Sequence, residues 1–433
     1  MGGIKNMSKF QLIFTGVFAA FIIVGVLVFS LSRNDNASNE SPVTVWGFLP
    51  ASQFNQILKV TGLDKDEILK ITYVEKRSDS FDSEFITALA DGKGPDLFFV
   101  SQASLLAQES RIFPVPFKTF PERDYKDAFI EGSEVFLSPQ GVLAMPFIVD
   151  PLVMYWNRTL FTNAGLAREP HFWEELYSLT SRLTKKDEAL NITQTTVPFG
   201  EFRNISNAKA VISLLTLQAG NPISQRTSGG LSIVLSEKFN FSLAPAPEAL
   251  RFFTDFSNPA TIYYSWNRSL PLSQNFFTAG DSALYFGFAS ELPLIQQKNP
   301  NLNFDVASVP QSRQAKQEVV YANFYGLAIS KSAKNIPGAF AVAGRLTDTA
   351  GIKATVNTLK LPPVRRDLIS QSPVDPFMTV FYDSALRSKT WIEPGSVSTS
   401  QVFQNMVESI TSGRSSIIEA VSRADGELEA LTN

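Results

Sequence analysis

The stretch 141–166, GVLAMPFIVDPLVMYWNRTLFTNAGL, constrains the rest of the chain more than any other. Val142, Leu143, Met145, Pro146, Phe147, Ile148 and Val149 form an extended apolar run, Asp150 interrupts it, and 152–156 resume it. Apolar runs of this length, bounded by turn residues, read as strands buried on both faces. Burying an unpaired carboxylate is costly. Asp150, with Tyr155 and Trp156 close behind, therefore marks the junction of two such strands as the expected floor of a ligand cleft between two lobes.

A chain of 433 residues is too long for one ordinary domain and sufficient for two. With 44% apolar and 18% charged residues, wholesale disorder is excluded. A net charge of -3 gives no electrostatic case for nucleic acid. The absence of cysteine rules out disulfides, thiolate catalysis, zinc–cysteine sites and a cysteine-linked lipid anchor. The single histidine, His171, rules out a cluster of imidazole ligands, so no metal and no cofactor is expected. There is no G-x-S-x-G, H-E-x-x-H or P-loop pattern, and nothing positive points to an enzyme. Glu174 and Glu175 are adjacent and point about 100° apart on a helix, so they do not flank one bond.

At the N-terminus, residues 10–32 carry no charge and are nearly all apolar, enough for a membrane-spanning helix, which needs about 20 residues. Lys5 and Lys9 precede the run and orient it with 1–9 in the cytoplasm. The expectation is an uncleaved single-pass anchor, with a cleaved signal peptide as the alternative, Ser30-Leu-Ser32 being a small-x-small site. Residues 33–42 read as a polar tether.

Beyond the tether, 43–48 reads as a strand, Phe54, Ile57, Leu58 and Val60 as the face of a helix, and 68–75 as a second strand. Phe81, Phe85, Ile86 and Leu89 recur at helical spacing, and 97–100 is a third strand. Such alternation implies parallel crossovers and an α/β lobe. Ligands in such sheets lie at the carboxyl ends of strands, here Phe48, Ser101-Gln102 and Asp150. Further on, helices are expected over 172–183, 208–218 and 336–346, strands over 304–309 and 323–329, and two final helices parted by Gly413. The segment 197–200 is expected to be turn-rich, and 276–287 to be a turn feeding a strand.

Five of these segments, in order, resemble the extracellular solute-binding proteins of bacterial ABC importers. ITALADGKGPDLFFVS (86–101) is similar to that family's helix, Gly-Pro-Asp turn and strand. AMPFIVDPLVMYWNRTLFTNAGL is similar to its crossing segment, and HFWEELYSLTSRLT to its Trp-x-Glu-Leu helix. FTAGDSALYFGFAS resembles its Phe-x-x-Gly-x-x-Ala-Met strand, and GLAISKSAKNIPGAFAVAGRLTD its late strand, lysine-bearing turn and helix.

The resemblance implies an α/β, two-lobe periplasmic-binding-protein fold with hinge crossings, preceded by one N-terminal transmembrane helix. The expected lobes are 43–150 plus 302–330, and 151–301 plus 331–433. It implies capture of a small polar ligand, foremost a carbohydrate, by hinge closure, and delivery to ABC permease subunits outside the cytoplasm. A ligand-presenting receptor domain for a separate membrane sensor is the alternative, and a cell-surface glycosidase a third reading. By resemblance Asp150 occupies the place of a hinge carboxylate that contacts sugar hydroxyls, a role open beside that of capping or salt-bridging the hinge. Tyr155 and Trp156 alternate on a strand, so at most one faces the cleft. The expected ligand-binding set is Phe48, Ser101, Gln102, Asp150, Tyr155, Trp156, Phe199, Phe288, Tyr325 and Arg365. Two departures bear on the ligand. Phe48-Leu49-Pro50 stands where sugar-binding relatives often have polar residues, and Phe288 is the one aromatic available where relatives stack a tryptophan.

Overall fold

A computed structural model describes residues 42–77, 79–227, 229–315 and 317–432. The apolar segment 10–32 and its expected anchor lie outside these residues. Among the described residues no helix is long and apolar enough to cross a membrane.

Strand β1 (Val43–Gly47) pairs in parallel with β2 (Ile71–Glu75) and β3 (Leu97–Ser101), Val43 opposite Ile71 and Val45 opposite Leu97. Helices α1 (Ala51–Thr61) and α2 (Phe81–Ala90) make the crossovers between them. α1 buries Phe54, Ile57 and Leu58 and stops where Gly62 turns left-handed, φ 74°, its N–H reaching the Leu58 and Lys59 carbonyls. A short helix, α3 (Leu105–Glu109), follows β3.

The stretch around Asp150 is one strand rather than two. β4 runs unbroken over Met145–Asn157 and is buried except at Trp156. The change of character at Asp150-Pro151 is a change of partner. Residues 145–151 pair with one strand of the first lobe's sheet and 152–157 with two others, and Pro151, which has no N–H to donate, sits at the switch.

The second lobe supplies α4 (Ala208–Gln218), a hairpin of β5 (Ser224–Thr227) and β6 (Gly230–Ile233), and helix α5 (Ser273–Ala279). α5 occupies part of a segment expected as a turn, and Gly280 caps it at φ 96°. Strands β7 (Leu284–Phe288) and β8 (Phe304–Ala307) flank the second half of β4, antiparallel to it. The helix expected from Phe172 begins at Glu175.

β9 (Val320–Ile329) is the other long strand. It lies antiparallel to the first half of β4, with Asn323 opposite Asp150, and its end pairs with β3, Tyr325 opposite Ser101. β4 and β9 thus run through both lobes within one sheet of order β7-β4-β9-β3-β1-β2.

Next come α6 (Ile336–Thr347), α7 (Thr349–Leu359) and α8 (Pro376–Leu386), then β10 (Ser388–Lys389), parallel to the start of β9. The chain ends in α9 (Ser396–Thr411) and α10 (Ile417–Ala430), parted by Gly413 as expected.

Two apolar cores result. The first gathers Val45, Phe54, Phe85, Phe98 and Phe324 with Leu346, Ile352 and Phe381 from α6 to α8. The second gathers Leu152, Phe199, Val211, Phe253, Trp266, Trp391, Phe403 and Val421. The expected partition, which put all of 331–433 in the second lobe, is therefore corrected. Residues 336–386 pack in the first core, and the chain re-enters the second at Trp391. Asp96 fixes this return. Its carboxylate accepts the backbone N–H groups of Thr44 at 2.9 Å, Lys334 at 2.7 Å and Asn335 at 3.1 Å, tying β1 to the entrance of α6. The Gly-Pro-Asp turn and the lysine-bearing turn thus meet in space.

Alternation along β4 explains why it is apolar on both sides. Leu152 and Met154 enter the second core, whereas Val153 and Tyr155 face Phe277, Tyr285 and Val306 in the first cluster.

Candidate functional site

A cavity of about 670 Å³ opens between the lobes at the carboxyl ends of β1 and β3. Phe48 leaves β1 into it, and Ser101 and Gln102 end β3 on its wall. Phe48 can lie there because the strand before it ends in glycine: a Cβ on Gly47 would come 2.4 Å from the Phe99 ring, itself part of the lining. Tyr321, Asn323 and Tyr325, spaced two apart on β9, share one face and form the floor. The second lobe contributes Phe202, Ile205, Asn207 and Lys209, then Phe288 at the end of β7, and Glu393 with the start of α9.

Aromatic rings reach the cavity from both lobes. Phe48 lies 5.2 Å from Phe99 and 4.8 Å from Tyr325, centre to centre, and Phe288 lies 6.4 Å from Tyr321. None of the five tryptophans lines the cavity. Faces of this kind suit the C–H surface of a sugar ring or another apolar group.

The lining also carries many polar side chains, serines foremost, and several are committed to neighbours. Gln102, 1% exposed, donates to the Asn323 side-chain oxygen at 2.9 Å and accepts from the Phe324 N–H at 2.9 Å, tying β3 to β9. Burial pushes the Tyr321 and Tyr325 phenols well above their ordinary value, so both remain protonated donors. Glu393, 1% exposed, accepts from Lys209; burial pushes its carboxyl up, and Lys209 and then Tyr321 pull it back. Behind Phe288, the Glu291 carboxylate accepts from the Phe288 N–H at 2.8 Å, Asn207 at 2.7 Å, and Tyr285 and Gln274 at 2.6 Å each. That cluster sets the positions of Asn207 and Phe288. Among the described residues no group of His, Asp and Glu is arranged to hold a metal ion.

Of the expected set, the structure brings Phe48, Ser101, Gln102, Phe288 and Tyr325 to the cavity. The other five do not line it. Asp150, 6% exposed, accepts the N–H of Ser290 at 3.0 Å and its hydroxyl at 2.6 Å. It ties the middle of β4 to the turn after β7. Burial pushes its pKa up to about 7; the Ser290 bonds oppose the rise and Glu291 adds to it. Tyr155 is fully buried and donates to the Phe288 carbonyl at 2.8 Å. Trp156 turns the other way, edge-on to Phe161 at 5.2 Å. Phe199 is buried among Phe253 and Phe286 in the second core. Arg365, 6% exposed, donates to Asp367 at 2.8 Å and to the Thr347 carbonyl at 3.2 Å.

Sequence reasoning missed Tyr321, Asn323, Lys209 and Glu393. The first two follow from Tyr325 by strand alternation. Lys209 is the one charge in the apolar helix AKAVISLLTLQ, and Glu393 follows Trp391-Ile392 as Asp150 follows its own apolar run. For Lys209 and Glu393 the signal was a lone charge in an apolar context.

The sequence profile described as bacterial extracellular solute-binding protein matches residues 53–352. Comparison with curated proteins finds no match. Among solved structures, a cyclo/maltodextrin-binding protein complexed with maltotetraose shares the fold at TM-score 0.74 and 14% identity, over 92% of this chain and 98% of that one. The cyclic α-maltosyl-1,6-maltose binding protein of Arthrobacter globiformis does so at 0.72 and 14%, over 90% and 99%. The GacH receptor of Streptomyces glaucescens, solved unliganded and with acarbose, does so at 0.68 and 16%, over 90% and 98%. At such identities the likeness is one of fold.

Proposed function

The chain belongs to the bacterial extracellular solute-binding proteins, and from that premise we propose that it captures a sugar between its lobes and delivers it to the permease subunits of an ABC importer. The observation that carries this reading is the cavity itself. Phenyl and phenol faces come from both lobes, and the floor lies on a strand that belongs to both. A ligand that touches both walls binds the closed arrangement better than the open one, and by that difference shifts the equilibrium toward closure. The proteins of similar fold solved with maltotetraose and acarbose support a sugar as the ligand class. The work asked of the protein is binding and release rather than bond making. The apolar run 10–32 would hold the lobes at the outer face of the membrane, a reading that rests on sequence alone.

A thermal-shift screen of malto- and manno-oligosaccharides, monosaccharides, peptides and polyols tests the proposal. A ligand at 100 times its dissociation constant adds about 2.7 kcal/mol of stability. A sugar is expected to raise the melting temperature. A shift with peptides or polyols and with no sugar would overturn the ligand class.

A further inference from the structure

Among the described residues, four charged side chains line the cavity: Asp79, Asp82, Lys209 and Glu393. Only Lys209 is a cation, and it does not stand free. Its ammonium donates to Glu393, whose carboxylate lies in the wall with a side chain 1% exposed, whereas Lys209 keeps 20% of its own side chain exposed. Glu393 is held from a further direction by its own backbone N–H, which donates to the Gln102 carbonyl at 3.4 Å. Of the other carboxylates, Asp79 is answered by Arg77 outside the lining, and Asp82 accepts from the Gln108 amide at 2.6 Å.

An unpaired ammonium on a low-dielectric wall attracts anions strongly, and a buried neighbour of opposite charge cancels that attraction. We propose that Glu393 is a charge filter: by holding Lys209 in a neutral pair, it makes the cleft accept uncharged polyhydroxyl ligands and reject sugars bearing a carboxylate or phosphate. The inference rests on the sugar-binding reading above and narrows its ligand class. An anionic ligand approaching Lys209 meets Glu393 as a like charge, with Asp79 and Asp82 on the same walls. This is a repulsive element of the kind that sets specificity. A neutral ligand loses nothing. An ammonium has three N–H donors and Glu393 takes one, so hydroxyls can accept from the others.

Calorimetry on the full chain, with maltotetraose and mannobiose against their uronic-acid forms oxidised at the primary hydroxyl, tests the filter. The wild type is expected to bind a neutral sugar at least tenfold more tightly than its oxidised form. Glu393→Gln keeps the shape and leaves the Lys209 charge uncompensated, so it is expected to narrow that gap at least tenfold by gaining affinity for the oxidised form. Equal affinities in the wild type, or an unchanged gap in a folded Glu393→Gln, would overturn the filter. Should the variant fail to fold, the wild-type comparison decides alone. Binding of no sugar, neutral or oxidised, would overturn the sugar-binding reading itself, and the filter with it.

Discussion

The carboxylate of Asp150 holds Ser290 twice, by its backbone N–H and by its hydroxyl, across 140 residues of sequence. This fastens the midpoint of β4 to the turn that follows β7, next to Phe288. The same neighbourhood is secured by Tyr155, which donates to the Phe288 carbonyl. A carboxylate and an aromatic expected to meet the ligand instead hold in place the ring that lines the cavity.

Asp150 makes stability depend on pH. Burial raises its pKa to about 7 in the folded state, against 3.8 for an ordinary aspartate. Between those values the folded protein keeps a proton that the unfolded chain has released. The stability from this group is therefore fully present below the unfolded value and is lost as pH rises through the folded one. Asp150→Asn removes the titration. Between about pH 5 and pH 8 the wild type is expected to lose on the order of 2 kcal/mol more than the variant. Urea unfolding across that range checks it, and parallel profiles would contradict it.

Arg226 and Glu109 join the lobes directly. Arg226, on the β5–β6 hairpin, donates to both Glu109 oxygens, at 3.0 and 2.9 Å, just beyond β3. The hairpin is anchored in the second lobe, where the Ile233 N–H donates to Glu429 at 2.6 Å, yet Leu231 joins the first core. Arg226→Ala is expected to cost about 1 kcal/mol, since both partners keep some exposure. It is also expected to enlarge the ligand-free molecule in small-angle scattering, because a tie between lobes has gone. An unchanged scattering profile would show that the hairpin does not restrain opening.

Phe48 and Phe288 face the cavity from opposite lobes. If the ligand is gripped between them, Phe48→Ala and Phe288→Ala each weaken sugar binding about tenfold, or about 1.4 kcal/mol. Melting temperature should change little, because both rings are only partly buried. Calorimetry with the best sugar from the thermal screen measures this. A loss in one variant only would place the ligand on one lobe.

What the chain revealed by itself follows from the range of the interactions involved. Strand–helix alternation over 43–101 is local, and the α/β class was readable from it. Of the strand ends expected at the cleft, Phe48, Ser101 and Gln102 line the cavity, whereas Asp150, expected as its floor, does not. Asp150 was conspicuous because its context is apolar, but its partner Ser290 is remote in sequence, so fastening and ligand contact looked alike. The helix from Ile336 was identifiable as a helix, but not as part of the first lobe, and the helices over 349–359 and 376–386 were not read from the sequence. Three N–H groups converging on Asp96 decide that, and periodicity carries no trace of them. The pair of Lys209 and Glu393 likewise spans 184 residues, and each alone reads only as a charge out of place.

The central claim is that a sugar binds between the lobes and draws them together. Hydrogen exchange with and without a saturating sugar tests it most directly. The account predicts slower exchange, on binding, in two segments at once: 101–107 of the first lobe and 393–400 of the second, both of which line the cavity. Protection confined to one segment, or lying away from both, would contradict it.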